Sequence, residues 1–405
     1  MKKRLIFFLL ILIVGIIVFF LWFHKDKELK SIPKNADAVV LIDVKEISKQ
    51  YFLTWIKHPS QWVGKSSSQH KNNGLIIPDY IQIFHLKDSS FAEWYSVFEI
   101  KDKNSLIEFL IKKGFKISKN NIYTKESFSI KIEASKCVIG FSNSNFETKV
   151  QQILNSKNKV LNADQFINNS IASVSYLAKS KIHNFAVYLN DDNLEIKTKT
   201  LQDIFSSTIS DLEKQTQFLN LKLDSKNTKI ATQLFNKEIS DSINIDSINA
   251  FAELETVNDT IVSYGYDDDF NEIEKVSYQN LIQPNYLINF QSSDSEKIGA
   301  YFQNKKWINA QNQFTLIPFQ PNLIEQKVNE IIIKSLRKPI KSNQNLSGNY
   351  FFLKNSQLFE NLLGTISKSR TKAISDLDYV FYGNKADYYY IKLKFKKEKL
   401  PIILR

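Results

Sequence analysis

The sequence predicts an α+β fold: an N-terminal transmembrane helix, then an ectodomain of two related halves with antiparallel strands and packed helices. Three observations carry this expectation. Residues 5–23 form an unbroken apolar run. Period-two and period-3.6 hydrophobic patterns then alternate along the rest of the chain. Three short segments also recur in the same order.

The apolar run comes first. At helical rise, residues 5–23 cover about 28 Å, close to the thickness of a bilayer's hydrocarbon core. Lys2, Lys3 and Arg4 precede it, which holds the N-terminus in the cytoplasm. The run ends Phe19-Phe20-Leu21-Trp22-Phe23-His24, with no small-residue site at which a leader would be cleaved. No cysteine follows for lipid attachment. The expectation is a single-pass inner-membrane protein, contacting the membrane through residues 5–23, with its C-terminal domain exported to the periplasmic side. Residues 1–24 are the cytoplasmic stub and anchor, 25–31 a charged tether, 32–219 the first α+β half and 220–405 the second.

Composition narrows the function. Among 405 residues, 43% are hydrophobic and 13% aromatic, so the exported part has the material for a core. Only 10 Gly and 8 Pro occur, which argues against glycine-rich cofactor loops. The formal charge is +12, but the arginines are only Arg4, Arg337, Arg370 and Arg405. Lysine supplies the rest, and bidentate phosphate and base recognition favours arginine, so no nucleic-acid partner is expected. The single cysteine, Cys137, excludes an internal disulfide and reads as a buried thiol on a strand.

The elements follow in order. Residues 38–42 read as a strand, and Asp43 caps a helix carrying Val44, Ile47, Tyr51 and Trp55, with Glu46 at the capping-box position. Strands are expected at 80–85 and 94–100. Asp102 then starts a helix with Leu106, Ile107, Leu110 and Ile111, closed by Gly114. Residues 122–141 suggest a hairpin. Ser144 is the expected cap of a helix bearing Phe146, Val150, Ile153 and Leu154, and 164–179 reads as a further helix. Two strands flank the turn at Asn190-Asp191-Asp192-Asn193. Leu201, Ile204, Phe205, Ile209 and Leu212 mark one amphipathic helix. Residues 220–283 suggest mixed strand and helix.

The repeats pair Phe98-Glu99-Ile100-Lys101-Asp102 with Phe290-Gln291-Ser292-Ser293-Asp294, residues 147–154 with 325–332, and 185–190 with 379–384. They predict that residues 91–200 and 285–397 are two copies of one fold, with equivalent second helices at Val150, Ile153 and Leu154 and at Val328, Ile331 and Ile332.

The opening Ile32-Pro33-Lys34-Asn35-Ala36-Asp37-Ala38-Val39-Val40-Leu41-Ile42-Asp43, with the helix that follows to residue 57, resembles bacterial envelope proteins of domain-of-unknown-function families. These place an Ile-Pro-x-x-Ala strand and a helix after a membrane or lipid anchor. The resemblance implies an envelope location and an α+β fold, and assigns no catalytic residue.

Chemistry is sparse. His24, His58, His70, His85 and His183 make no i, i+4 pair and no His-Glu-x-x-His; His58, His70 and His85 share one region. Asp267-Asp268-Asp269-Phe270-Asn271-Glu272 offers oxygen ligands without the full calcium-loop pattern, and reads as a solvated turn. Asp387-Tyr388-Tyr389-Tyr390 places aromatics on both strand faces, one for the core and one for contact. No nucleophile elbow, phosphate loop or dinucleotide fingerprint occurs. The expectation is therefore no cofactor, no metal and no assigned catalytic residue. The chain reads as a non-catalytic membrane-anchored binding or scaffold module acting on other envelope proteins or an envelope ligand. An envelope enzyme, such as a hydrolase with a dispersed site, is the alternative.

Overall fold

The computed structural model describes residues 23–62, 73–87, 89–156, 161–178, 181–198, 204–235, 243–319, 321–340, 346, 348–366 and 375–405. The chain divides into two compact units. Unit 1 is Met1–Lys199 with Glu398–Arg405, and unit 2 is Thr200–Lys397.

In unit 1 the chain runs β1 (Glu28–Leu29), β2 (Ala36–Asp43), α1 (Val44–Ile56), β3 (Leu75–Ile76), β4 (Tyr80–Leu86), β5 (Trp94–Ile100), α2 (Lys103–Lys112) and β6 (Lys116–Ile117). It continues β7 (Ile122–Lys125), β8 (Phe128–Glu133), β9 (Lys136–Phe141), α3 (Phe146–Asn155), β10 (Leu161–Asn162), β11 (Ala172–Leu177), β12 (Ile182–Leu189) and β13 (Asn193–Thr198). The antiparallel ladder runs β8-β9-β5-β4-β2-β11-β12-β13. Asp43 caps α1 by accepting from Glu46 N at 2.9 Å. Asp102 caps α2 by accepting from Asn104 N at 3.0 Å. Both satisfy amides that a helix start leaves free.

Unit 2 runs α4 (Ser206–Glu213), β14 (Leu219–Asp224), α5 (Ser225–Phe235), β15 (Ser247–Tyr266), β16 (Glu272–Gln291) and α6 (Ser295–Asn304). After these come β17 (Asn322–Lys327), β18 (Glu330–Ser335), β19 (Asn349–Lys354), α7 (Gln357–Ile366), β20 (Leu377–Lys385) and β21 (Tyr388–Phe395). Its antiparallel ladder runs β17-β18-β16-β15-β14-β19-β20-β21. Position by position this is the strand order of unit 1, with β14 in the place of β2, β15 and β16 of β4 and β5, and β19 of β11. The shared order covers residues 36–198 and 219–395 and so begins upstream of the segments 91–200 and 285–397.

Several expectations are corrected. The expected class, α+β with an N-terminal transmembrane helix, gives way to a chain that is mostly antiparallel sheet. Its described helices are short, and none is long and apolar enough to cross a membrane. Residues 5–22 of the predicted anchor, like Leu201 and His70, lie outside the described residues. The helix expected at 164–179 is not formed by its described residues: β11 pairs with β2 on one side and β12 on the other, so two ladders override a weak helical pattern. Asn145, not Ser144, precedes α3 and makes no side-chain cap bond. The most instructive correction concerns the second repeat match. Residues 147–154 are helix α3, but residues 325–332 are the β17–β18 hairpin, with Val328 86% exposed at its turn. That likeness was compositional.

A long hairpin dominates unit 2. β15 and β16 pair along 20 residues each, but only Ser247–Ala252 also meet β14, and only Leu287–Gln291 also meet β18. From Glu253 to Asn285 the two strands pair, among the described residues, with each other alone. At about 3.4 Å per residue this is a ribbon roughly 45 Å long, with Tyr264, Tyr266, Phe270 and Tyr278 exposed.

Candidate functional site

Each sheet has two faces. One carries α2 in unit 1, whose Leu106 and Leu110 pack with Ile130, Ile132 and Cys137, and α6 in unit 2, whose Ile298 and Phe302 pack with Ile331 and Ile333. The opposite face differs between the units, and the ladder register identifies equivalent positions on it. Asp43 and Asp224 each end a strand, pair with the first residue of the next (Tyr80 and Ser247), and cap the following helix. Counting back from them, Leu41 corresponds to Lys222 and Val39 to Asn220. Across the ladders, Gln82 corresponds to Asn249, Phe84 to Phe251, Tyr95 to Leu287, Val97 to Asn289 and Gly140 to Lys334.

In unit 1 this face is roofed. Val39, Leu41, Phe84 and Tyr95 are buried with Phe146, Val150 and Ile153 of α3, with Phe166 and Ile167, and with Leu29 and Ile32. Each such side chain contributes about 1.5–3 kcal/mol on burial. Gly140 makes room for the roof: a Cβ there would meet the Tyr95 ring at 2.6 Å and Phe146 at 3.1 Å. In unit 2 the roof sits elsewhere. Phe205, Ile209 and Leu212 cover Tyr350, Phe352, Phe381 and Tyr390 on the β19–β21 side. Gly383 admits Phe205, whose ring a Cβ would meet at 2.7 Å. Tyr388 and Tyr390, from the predicted aromatic strand, stack on Phe205 with centroids 5.9 and 6.1 Å away.

The remainder of the unit 2 face opens as a cleft of about 450 Å³ lined by Lys222, Asp224, Ser247, Asn249, Phe251, Leu287, Asn289, Gln291, Asn349 and Tyr350, among others. Its polar groups are partly engaged. Lys222 Nζ donates to Leu346 O at 2.8 Å, and Ser247 Oγ to Gln291 Oε1 at 2.8 Å. Asn289 Nδ2 donates to Glu330 Oε2 at 2.7 Å, but Asn289 Oδ1 is buried with no hydrogen-bond partner among the described residues. Beneath the same face but outside the cleft lining, both amide atoms of Asn220, 1% exposed, also have no partner among the described residues. Buried amides in this state are rare in folded proteins.

Asp224 closes one end. Its Oδ1 accepts from Asn227 N and Nδ2, both at 2.9 Å, and its Oδ2 from Asn349 Nδ2 at 2.7 Å. Burial pushes this carboxyl up, but the bonds from Asn227 and Asn349 with the charge of Lys226 outweigh it and hold the group below the usual carboxylate range. Burial pushes the Tyr350 phenol up to about 12.

The residues singled out in the sequence lie apart from this cleft. His58 ends α1, its Nδ1 2.8 Å from Thr54 O. His85 lies on β4 between Asp37 Oδ1 at 2.7 Å and Ser90 O at 2.9 Å. Among the described residues no three His, Cys, Asp or Glu gather as metal ligands. Asp267 is occupied by its own turn, where its carboxylate accepts from the backbone of Asp269 and Asn271. The Asn271 bonds hold its carboxyl low. Cys137 is buried, and burial pushes its thiol up to about 12, far from a reactive thiolate. Reading the sequence missed the cleft because its residues come from four separate strands. The available signal was the alternation of Asn249 with Ile248 and Ala250, and of Asn289 and Gln291 with Ile288 and Phe290.

Comparison with protein-family models, with curated proteins and with solved structures finds no match. Fold and site therefore define the class on their own: an antiparallel-sheet protein of two units with one strand order, one face roofed in unit 1 and open in unit 2.

Proposed function

We propose that the protein is a non-catalytic binding module of the cell envelope, and that it holds its ligand in the cleft of unit 2. The observation that carries this reading is the open polar floor of Lys222, Asn249, Asn289 and Gln291, where Asn289 Oδ1 has no hydrogen-bond partner among the described residues. The groups beside that floor favour binding over catalysis. The Ser247 hydroxyl faces an amide rather than a base, Asp224 is engaged as a helix cap, and a phenol near 12 at Tyr350 is poorly matched to proton transfer at neutral pH.

The envelope part rests on Lys2, Lys3, Arg4 and the apolar run at residues 5–23. A C-terminal fusion to an enzyme active only after export tests it, and activity confined to the cytoplasm would remove it. For the cleft, a photo-crosslinking amino acid at Leu287 in cells is expected to give a covalent adduct that the same group at exposed Ile117 does not. Identical adducts at both positions, or none at Leu287, would count against the binding reading.

A further inference from the structure

Unit 1 shows what the equivalent part of its own face receives. The chain's N-terminal segment lies there. Asp26 N donates to Asp79 Oδ2 at 2.7 Å and Ser31 N to Gln82 Oε1 at 3.1 Å. Lys25 Nζ reaches Asp43 Oδ2 at 2.5 Å, and Glu28 and Leu29 pair with Asn162 and Leu161. The segment thus passes the start of β4 between Asp79 and Gln82, and two of its backbone amides are bound by side chains there. A smaller cavity of about 330 Å³ remains beside it, lined by Tyr80, Gln82, Val97 and Glu99. These positions correspond to Ser247, Asn249, Asn289 and Gln291 of the unit 2 cleft.

Resting on the binding reading above, we infer that the unit 2 cleft takes an extended peptide segment, recognised through its backbone by the carboxamides of Asn249, Asn289 and Gln291. Asn249 occupies the position of Gln82, the side chain that accepts a backbone N–H from Ser31 in unit 1. Asn289 replaces apolar Val97 and presents a buried acceptor without a partner. Asn249 pairs with Asn289 across the ladder, and Ser247 with Gln291 two residues along. That step, about 6.8 Å, is the spacing at which an extended chain repeats its like-facing backbone groups. A carboxamide donates and accepts at once, so such a floor suits peptide groups whatever side chains they carry. At the Asp224 end, Asn349 Nδ2 holds the oxygen that Lys25 holds on Asp43. The ligand therefore needs no cation there.

The test uses the full chain in detergent, panned against a phage-displayed random nonapeptide library, with an Asn249→Leu, Asn289→Val double variant for counter-selection. Peptides recovered and then synthesised are expected to bind the wild type about ten-fold more tightly than the double variant, the effect of one or two lost hydrogen bonds. Methylating alternate backbone amides of the peptide should weaken binding, and Asn289→Gln should retain more affinity than Asn289→Val. A double variant that melts within a few degrees of the wild type excludes misfolding as the cause; if it melts lower, the methylation series alone decides. Peptides that fail to discriminate the variant, or that tolerate methylation throughout, overturn the proposal. A Leu287 adduct containing sugar or another non-peptide group also overturns it, while leaving the binding reading in place. No adduct and no selected peptide sink both.

Discussion

In unit 1 the face bearing Val39, Leu41 and Tyr95 is closed by Phe146, Val150 and Ile153. In unit 2 the face bearing Lys222, Asn249 and Leu287 stays open and polar. Strand order does not account for this, because it is shared. The connections do. Residues 142–171 join β9 to β11 and carry α3, whereas residues 336–348 join β18 to β19 in less than half that length. Side chains then follow exposure: the roofed strand carries Leu41 where the open one carries Lys222. The two units teach that one sheet can yield a core or a binding floor according to which loop bears the helix.

The largest test exchanges residues at equivalent positions. Leu41→Lys places an ammonium under α3, where Leu41 is 0% exposed, and should destabilise unit 1 by about 4–5 kcal/mol. The reciprocal Lys222→Leu should change unit 2 by less than about 1 kcal/mol. Urea denaturation can follow the units separately, because Trp307 is the sole tryptophan of residues 200–397. Equal losses in both variants would erase the distinction between roofed and open faces.

Phe146→Ala opens the roof itself and should cost unit 1 about 3–4 kcal/mol, leaving the Trp307 transition in place. A shift of the Trp307 transition by the same amount would mean that the lesion is not confined to unit 1. The shared caps come next: Asp43→Ala and Asp224→Ala should each cost about 1–2 kcal/mol in their own unit, and calorimetry of the two variants checks whether the losses match.

Acid separates one cap further. The folded Asp224 carboxyl lies below its ordinary value of 3.8, so its contribution to stability is complete above that pH. It is lost as pH falls through the lower folded value. Asp224→Asn should therefore flatten the acid limb of unit 2 stability below pH 3.8. An acid titration of Trp307 fluorescence that superimposes on wild type contradicts this. The smallest effect belongs to Asn289→Val, which installs the residue type of unit 1. It exchanges one amide bond for relief of an unpartnered acceptor and should stay within about 1 kcal/mol of wild type.

Local signals were legible in the sequence where one residue sufficed. Asp43, Asp102 and Asp294 announce helix starts, and each accepts a backbone N–H there. The Asn190–Asn193 turn closes as read, with Asn190 N donating to Asn193 O at 2.8 Å. Pattern alone failed where neighbours decide. Residues 325–332 share the Glu-x-Lys-Val opening of residues 147–154 in α3, yet Ile331 and Ile333 are both buried at period two on β18. The cleft was illegible for the same reason. Lys222, Asn249, Asn289 and Asn349 are brought side by side only by pairing among β14, β15, β16 and β19.

The projecting ribbon has a consequence for how that floor is set. Its tip joins residues adjacent in sequence, so zippering from Asp267 needs little loop closure, and hairpins form in about 1–10 µs. Pairing β14 with β19, by contrast, brings Lys222 against Tyr350 from far along the chain and is the slower event. The strands of the floor thus enter the sheet with their relative alignment already chosen at the far end of the ribbon. A slip of one residue on one strand would turn Ala250 toward the cleft and Asn249 toward the core. The bonds from Asp269 and Asn271 to the Asp267 carboxylate therefore act as the index mark that decides, some eighteen residues away, which side chains face the ligand.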